Sequence, residues 1–245
     1  MAGICRAAVR HEGKTLKTII TTDVHGCSLE LRALLKKAEL DRCLDHLIIL
    51  GDLFDRGKHS YEVFSMILHL KEEMGDRFTL IRGNHDQLLL DYAEDNGKML
   101  PWSFNGGVKT IESFARHGLT PKDAVPLLKD TPLFLETDRF IAVHAGLRSD
   151  RPEENDPETF LWDRGVTYGE YRGRKLGIGG HTPMRSPVWF TGDGQPLELP
   201  YDKVLALPDR GFICLDTGCV FGFKLTGMVI TEDEFRLISV SKKDY

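Results

Sequence analysis

Four of the nine histidines stand in short glycine-flanked loops: Asp23-Val24-His25-Gly26, Gly83-Asn84-His85-Asp86, Val143-His144-Ala145-Gly146 and Gly180-His181-Thr182. A fifth loop, Gly51-Asp52-Leu53-Phe54-Asp55-Arg56-Gly57, adds two carboxylates and a guanidinium. Asp23 and His25 are two positions apart, so in extended backbone their side chains leave on the same side and can grip one ion. Carboxylate oxygen combined with imidazole nitrogen suits manganese, iron, zinc or a similar divalent metal, whereas an all-oxygen set suits magnesium or calcium. Taken singly, an Asp at a turn or a His in a loop reads better as a cap or a solvated side chain. The recurrence of the pattern makes coincidence the weaker reading. His11, His46, His59, His69 and His117 lack this setting and read as surface or packing residues.

The elements that must position these loops are legible as strands alternating with helices. Apolar runs at Leu16 to Thr22, His46 to Leu50 and Phe78 to Arg82 have strand length, and each ends in one of the polar loops. Between them, Ser28 to Leu40 and Ser60 to Met74 carry apolar residues at helical spacing, with Ser28 and Ser60 as candidate N-caps. This is a βαβ arrangement, in which ligands gather at the carboxyl ends of the strands. Leu88 to about Lys129 reads as irregular helix broken at Asn105, Gly106 and Gly107, placed to cap the strand ends. Further strand-like runs are Phe140 to Val143, Leu176 to Gly179, Val188 to Phe190, Phe212 to Leu215, Lys224 to Thr231 and Phe235 to Val240. The last of these lack intervening helices and predict a second, more antiparallel sheet.

Composition excludes more than it selects. The 245 residues suit one large α/β domain, and a net charge of −5 is too small to signal a nucleic-acid or membrane partner. The five cysteines form no CxxC pair or regular framework, which fits a reducing cytosol. Arg6 and Arg10 precede no apolar stretch long enough for a signal peptide, and no later run has the length to span a bilayer. A cytoplasmic protein is the expectation.

The ordered set DxHG, GDxxDRG, GNHD, HAG and GHT resembles the metallophosphoesterase superfamily and, within it, the phosphoprotein phosphatase branch. The likeness runs from about Leu16 to Thr231, and the layout around Trp102 to Gly107 and Leu215-Asp216-Thr217-Gly218 is most similar to the bacterial and phage lambda-like members. It implies a four-layer α/β/β/α sandwich forming a single calcineurin-like metallophosphoesterase domain over 1–245, with a helical cap at about 88–130. It also implies two divalent ions, manganese first, with iron, zinc, cobalt or nickel as alternatives. Asp23, His25 and Asp52 would ligate one ion. Asp52 would bridge to the second, completed by Asn84, His144 and His181. Ions sharing a carboxylate sit roughly 3.5 to 4 Å apart and hold a hydroxide between them for attack on phosphorus. The resemblance further implies that Arg56 orients the phosphate and that His85, held by Asp55, protonates the leaving oxygen. Arg164, between HAG and GHT, is the expected second phosphate-binding arginine, with Arg148, Arg172 and Arg174 as rivals for that place.

Pro183 stands two positions after His181, where nucleases and phosphodiesterases of this superfamily carry the last histidine of GHxH. That departure and the Asp55-Arg56-Gly57 sequence point to phosphate monoesters or terminal phosphates. The substrate is then a phosphorylated protein or a small phosphorylated molecule. A serine/threonine protein phosphatase is the leading expectation and a bis(5'-nucleosyl)-tetraphosphatase the alternative, favoured by Asp86 where most protein phosphatases have Glu. A catalytically inactive scaffold is the distant third, opposed by the presence of His85, Asp55 and all six expected ligands.

Overall fold

The computed structural model describes residues 15–95 and 98–243; Cys5, Arg6, Arg10 and His11 lie outside the described residues. Two six-stranded mixed sheets form the frame. The first has the order β3-β2-β1-β11-β12-β9, with β1 Thr18–Thr21, β2 His46–Ile49, β3 Phe78–Leu80, β9 Val204–Ala206, β11 Lys224–Thr231 and β12 Glu234–Ser241. The second has the order β4-β5-β6-β10-β7-β8, with β4 Phe134–Glu136, β5 Phe140–Val143, β6 Leu176–Gly179, β7 Val188–Phe190, β8 Pro196–Glu198 and β10 Gly211–Cys214.

Strands buried on both faces explain why the runs read as continuously apolar rather than alternating. On β2, Leu47 and Ile49 join a core against the helices, while Ile48 and, just past the strand, Leu50 turn into the space between the sheets. On β5, Phe140 and Ala142 face that inter-sheet core and Ile141 and Val143 face outward. The outer face of the first sheet is covered by helices α1 Ser28–Lys37, α2 Ser60–Met74 and α3 Asn84–Glu94. The outer face of the second packs against Phe160 and Val166, which belong to α7 Pro157–Trp162 and the short turn after it. The result is the expected α/β/β/α sandwich. No described helix is long and apolar enough to cross a membrane.

Two expectations are corrected. Ser28 and Ser60 are the first helical residues rather than the N-caps; Cys27 and His59 hold the cap positions, and neither side chain caps. The last two apolar runs do not build a second sheet: β11 pairs antiparallel with β1, and β12 with β11, so both extend the first sheet. Strands β4, β8 and β9, of three residues each, went unread.

Residues 98–128 contain α4 Met99–Trp102, a wide turn at Ser103–Gly107, α5 Val108–Ala115 and α6 Val125–Leu128. Gly106 adopts φ of 102° there, and its carbonyl accepts the Arg56 N–H at 3.2 Å. This segment therefore meets the site through its backbone as well as its side chains.

Candidate active site

Parallel strands of both sheets end at one place. β1, β2 and β3 deliver Asp23, Asp52 and Asn84, and β5, β6 and β10 deliver His144, His181 and Asp216. Six non-glycine residues there are left-handed: Asp23, His25, Asp52, Asp55, Arg56 and His181, with φ between 42° and 69°. Such backbone costs free energy and persists where the surroundings over-determine it, most often at functional sites. Two glycines make room. A Cβ on Gly180 would strike the Asp23 carboxylate, and one on Gly83 would strike that of Asp52.

Asp52 stands at the centre. Its Oδ2 lies 3.4 Å from His25 Nε2 and its Oδ1 3.5 Å from His144 Nε2. Two groups of candidate ligand atoms share it, His25–Asp52–His85 and Asp52–His144–His181, each within 4.8 Å. Asp23 Oδ1 approaches His25 Nε2 to 4.0 Å, while its Oδ2 accepts the Thr22 hydroxyl at 2.6 Å and the His181 N–H at 2.9 Å. All six expected ligands are thus brought together.

The hydrogen bonds fit a cation. His25 Nδ1–H donates to the Phe54 carbonyl and His144 Nδ1–H to that of Leu50, each at 2.7 Å, which leaves the Nε2 lone pairs facing inward. His144 Nε2 then meets Asn84 Oδ1 at 2.9 Å, and His181 Nδ1 meets the same oxygen at 3.0 Å. His144 Nε2, left an acceptor, thus faces the Asn84 oxygen, another acceptor, in a buried place, and a bound cation resolves that opposition. The carboxyls agree. Burial, then Asp23 and Asp86, pushes Asp52 well above its ordinary range. Burial and Asp23 do the same to Asp216, which belongs to the Leu215-Asp216-Thr217-Gly218 segment. His25 is held well below its ordinary value by burial, then by His85 and Arg56. Nitrogen and oxygen donors in this mixture match a divalent transition metal.

Beside the cluster, His85 Nδ1–H donates to Asp55 Oδ2 at 2.7 Å, and its Nε2 is buried with no partner among the described residues. Trp102 Nε1–H donates to the same Oδ2 at 2.9 Å, and the Thr110 hydroxyl to Oδ1 at 2.6 Å. Burial raises Asp55 to about 7; it lowers His85 to about 2, helped by Arg56 and His144. Arg56 places one N–H 2.7 Å from His25 Nε2, with Phe221 packed against its guanidinium at 5.5 Å. Arg164 donates to Thr182 Oγ1 at 2.8 Å and approaches the His181 carbonyl at 3.5 Å, so it too lies at the rim. Arg148 instead pairs with Asp163 at 2.7 Å, and Arg172 bonds the carbonyls of Gly169 and Tyr171.

Sequence reasoning noted Trp102 within the Trp102 to Gly107 layout but missed that it and Thr110 hold Asp55, 47 and 55 positions away in no shared motif. It also gave no structural role to Asp86, whose carboxylate accepts the N–H groups of Asp52 at 2.9 Å, Leu53 at 3.2 Å and Gly83 at 2.9 Å. Asp86 staples two ligand loops together.

A fold of facing mixed sheets with a buried His, Asp and Asn cluster at the carboxyl ends of parallel strands defines a metal-dependent phosphoesterase. Residues 16–205 match the calcineurin-like phosphoesterase family, to which this chain belongs. Over 89% of its length it is 28% identical to 94% of serine/threonine-protein phosphatase 1 of Salmonella typhimurium. Over 88% it is 29% identical to 91% of the asymmetrical bis(5'-nucleosyl)-tetraphosphatase PrpE of Halalkalibacterium halodurans. Among solved structures, a metallophosphoesterase from Sphaerobacter thermophilus superposes with a TM-score of 0.63 at 16% identity, covering 93% of this chain and 89% of its own. A structure provisionally named a diadenosine tetraphosphatase gives 0.64 at 21% identity, covering 95% and 96%.

Proposed function

We propose that this protein hydrolyses phosphate monoesters or terminal phosphoanhydrides with two divalent ions, manganese first among them. The observation that carries the reading is the convergence of the Asp52-centred cluster, the His85–Asp55 pair and Arg56 at one buried edge. Asp23, His25 and Asp52 would hold one ion, and Asp52, Asn84, His144 and His181 the other. Such ions supply Lewis-acid activation of water and offset the phosphate charge.

The chain's own groups do the rest. Arg56 presents a planar fork of donors to phosphate oxygens, and Arg164 faces the same edge from the opposite sheet. Nε2 of His85 is the atom that hands a proton to the leaving oxygen. Asp55 holds the other ring nitrogen and so fixes the tautomer, while Trp102 and Thr110 hold Asp55. Burial and Arg56 keep His85 neutral in the substrate-free protein. A phosphate dianion against Arg56 cancels that repulsion and favours the imidazolium. The 88–130 segment acts as a cap by supplying Trp102, Thr110 and the Gly106 carbonyl.

Within this chemistry we read a serine/threonine protein phosphatase of the cytoplasm, supported by the full Asp55-Arg56-Gly57 sequence and the Salmonella relative. A tetraphosphatase is the second reading, favoured by PrpE relatives of equal likeness and coverage. The test is hydrolysis of p-nitrophenyl phosphate with added manganese. His85→Ala is expected to lower kcat by roughly 10²- to 10⁴-fold, and Asp52→Asn to abolish both turnover and tight metal uptake. An inactive wild type, or turnover indifferent to both changes, would sink the enzymatic reading. A phosphopeptide, diadenosine tetraphosphate and a phosphodiester run side by side then separate the two substrates, and preference for the diester would refute both.

A further inference from the structure

Arg56 has a second face. Beyond the metal cluster it lines a cavity of about 170 Å³ together with Lys58, His59, Lys242 and Lys243. A chain of net charge −5 has thus gathered four permanent cations and a titratable fifth group around one recess. Two carboxylates lie close by. Glu30 takes the Lys242 ammonium at 3.2 Å and the Lys243 backbone N–H at 3.1 Å, and Glu62 lies 3.5 Å from His59 Nδ1. Among the described residues, Arg56, Lys58 and the Lys243 ammonium have no carboxylate ion-pair partner. The recess also receives the amino end of α2, 15 residues long, whose cap residue His59 makes no side-chain capping bond. A helix dipole of that length adds positive potential at its first turn. Uncompensated like charges around a concave surface repel one another and destabilise the fold unless an anion joins them.

We propose that this recess is a second anion subsite, which receives a non-scissile phosphate of a linear polyphosphate chain while the terminal phosphate occupies the metal site. Arg56 joins the two, since it donates toward His25 Nε2 at 2.7 Å and is also one of the residues that line the recess. A substrate reaching both positions carries adjacent phosphates along one chain. A monoester fills only the first. The inference rests on the phosphoesterase reading and bears on the second of its two substrates: selectivity for polyphosphate over monoester is set by Lys58 and Lys243, which line the recess with Arg56.

The experiment compares kcat/KM for adenosine 5'-tetraphosphate with that for p-nitrophenyl phosphate in wild type and in the Lys58→Gln/Lys243→Gln double variant. Selectivity for the polyphosphate is expected to fall about tenfold or more, carried by KM. An unchanged ratio overturns the proposal, as does a loss confined to a doubly phosphorylated peptide. In parallel, inorganic tripolyphosphate is titrated into each protein in EDTA by calorimetry. Binding that weakens in the variant and with added salt supports the subsite; equal affinity in both, or none in wild type, refutes it. If wild type hydrolyses neither substrate, the phosphoesterase reading has failed, and this titration still decides on the recess.

Discussion

Asp55 accepts three hydrogen bonds, from His85, Trp102 and Thr110, so its carboxylate is oriented from both oxygens. Removing one donor leaves a buried acceptor short of a partner, which costs roughly 1–3 kcal/mol. Trp102→Phe keeps the ring stacked on Tyr92 at 4.8 Å but loses the N–H. The expected outcome is a loss of stability in that range by urea denaturation, with kcat reduced and KM little changed, because the proton donor and not the phosphate clamp is disturbed. Equal losses in both parameters would move Trp102 from orienting Asp55 to shaping the phosphate site. The residues that touch the proposed chemistry were legible because GDxxDRG, GNHD and their companions are compact. Trp102 and Thr110 were not, because a side chain that arrives from a distant helix leaves no spacing in the sequence.

At the scale of elements, the site depends on loops held in costly backbone, and Asp86 is the main brace. By accepting three amides from the Asp52 loop and its own, it locks β2's exit against the start of α3. Asp86→Ala orphans those donors while leaving every proposed ligand in place. We expect a loss of roughly 1–3 kcal/mol in unfolding free energy, together with weaker manganese binding by calorimetry. Destabilisation with unchanged metal affinity would show that the brace does not position Asp52. The strand–helix alternation that carries these loops was readable from apolar runs, since strands buried on both faces announce themselves. What escaped was pairing: nothing local in Lys224–Thr231 says that its partner is β1, more than 200 positions earlier, instead of a neighbour in the second half. The short edge strands β4, β8 and β9 are too small to carry a period.

The whole molecule brings two sheets to one edge and concentrates negative charge there, so its stability should depend on pH and metal together. Asp55, raised to about 7, and Asp52 and Asp216, raised well above 3.8, fold more readily as neutral acids. Their contribution is complete below the ordinary carboxylate value and is lost as pH rises through the folded values. His85 and His181, each lowered to about 2 mainly by burial, act oppositely. Their contribution is complete above the ordinary imidazole value of 6.5 and is lost as pH falls below it. Between the ordinary carboxylate value and 6.5 the two sets oppose each other, and above 6.5 only the carboxyls remain. The metal-free protein is therefore expected to lose Tm as pH rises above 6.5 through the folded value of Asp55, about 7, measured by scanning calorimetry in EDTA. Saturating manganese supplies the counter-charge that protons supplied, and at 100 times Kd adds about 2.7 kcal/mol. The slope above 6.5 should then flatten or reverse. A slope unaffected by manganese would mean that the cations do not sit among these carboxylates, which would remove the physical basis of the dinuclear site.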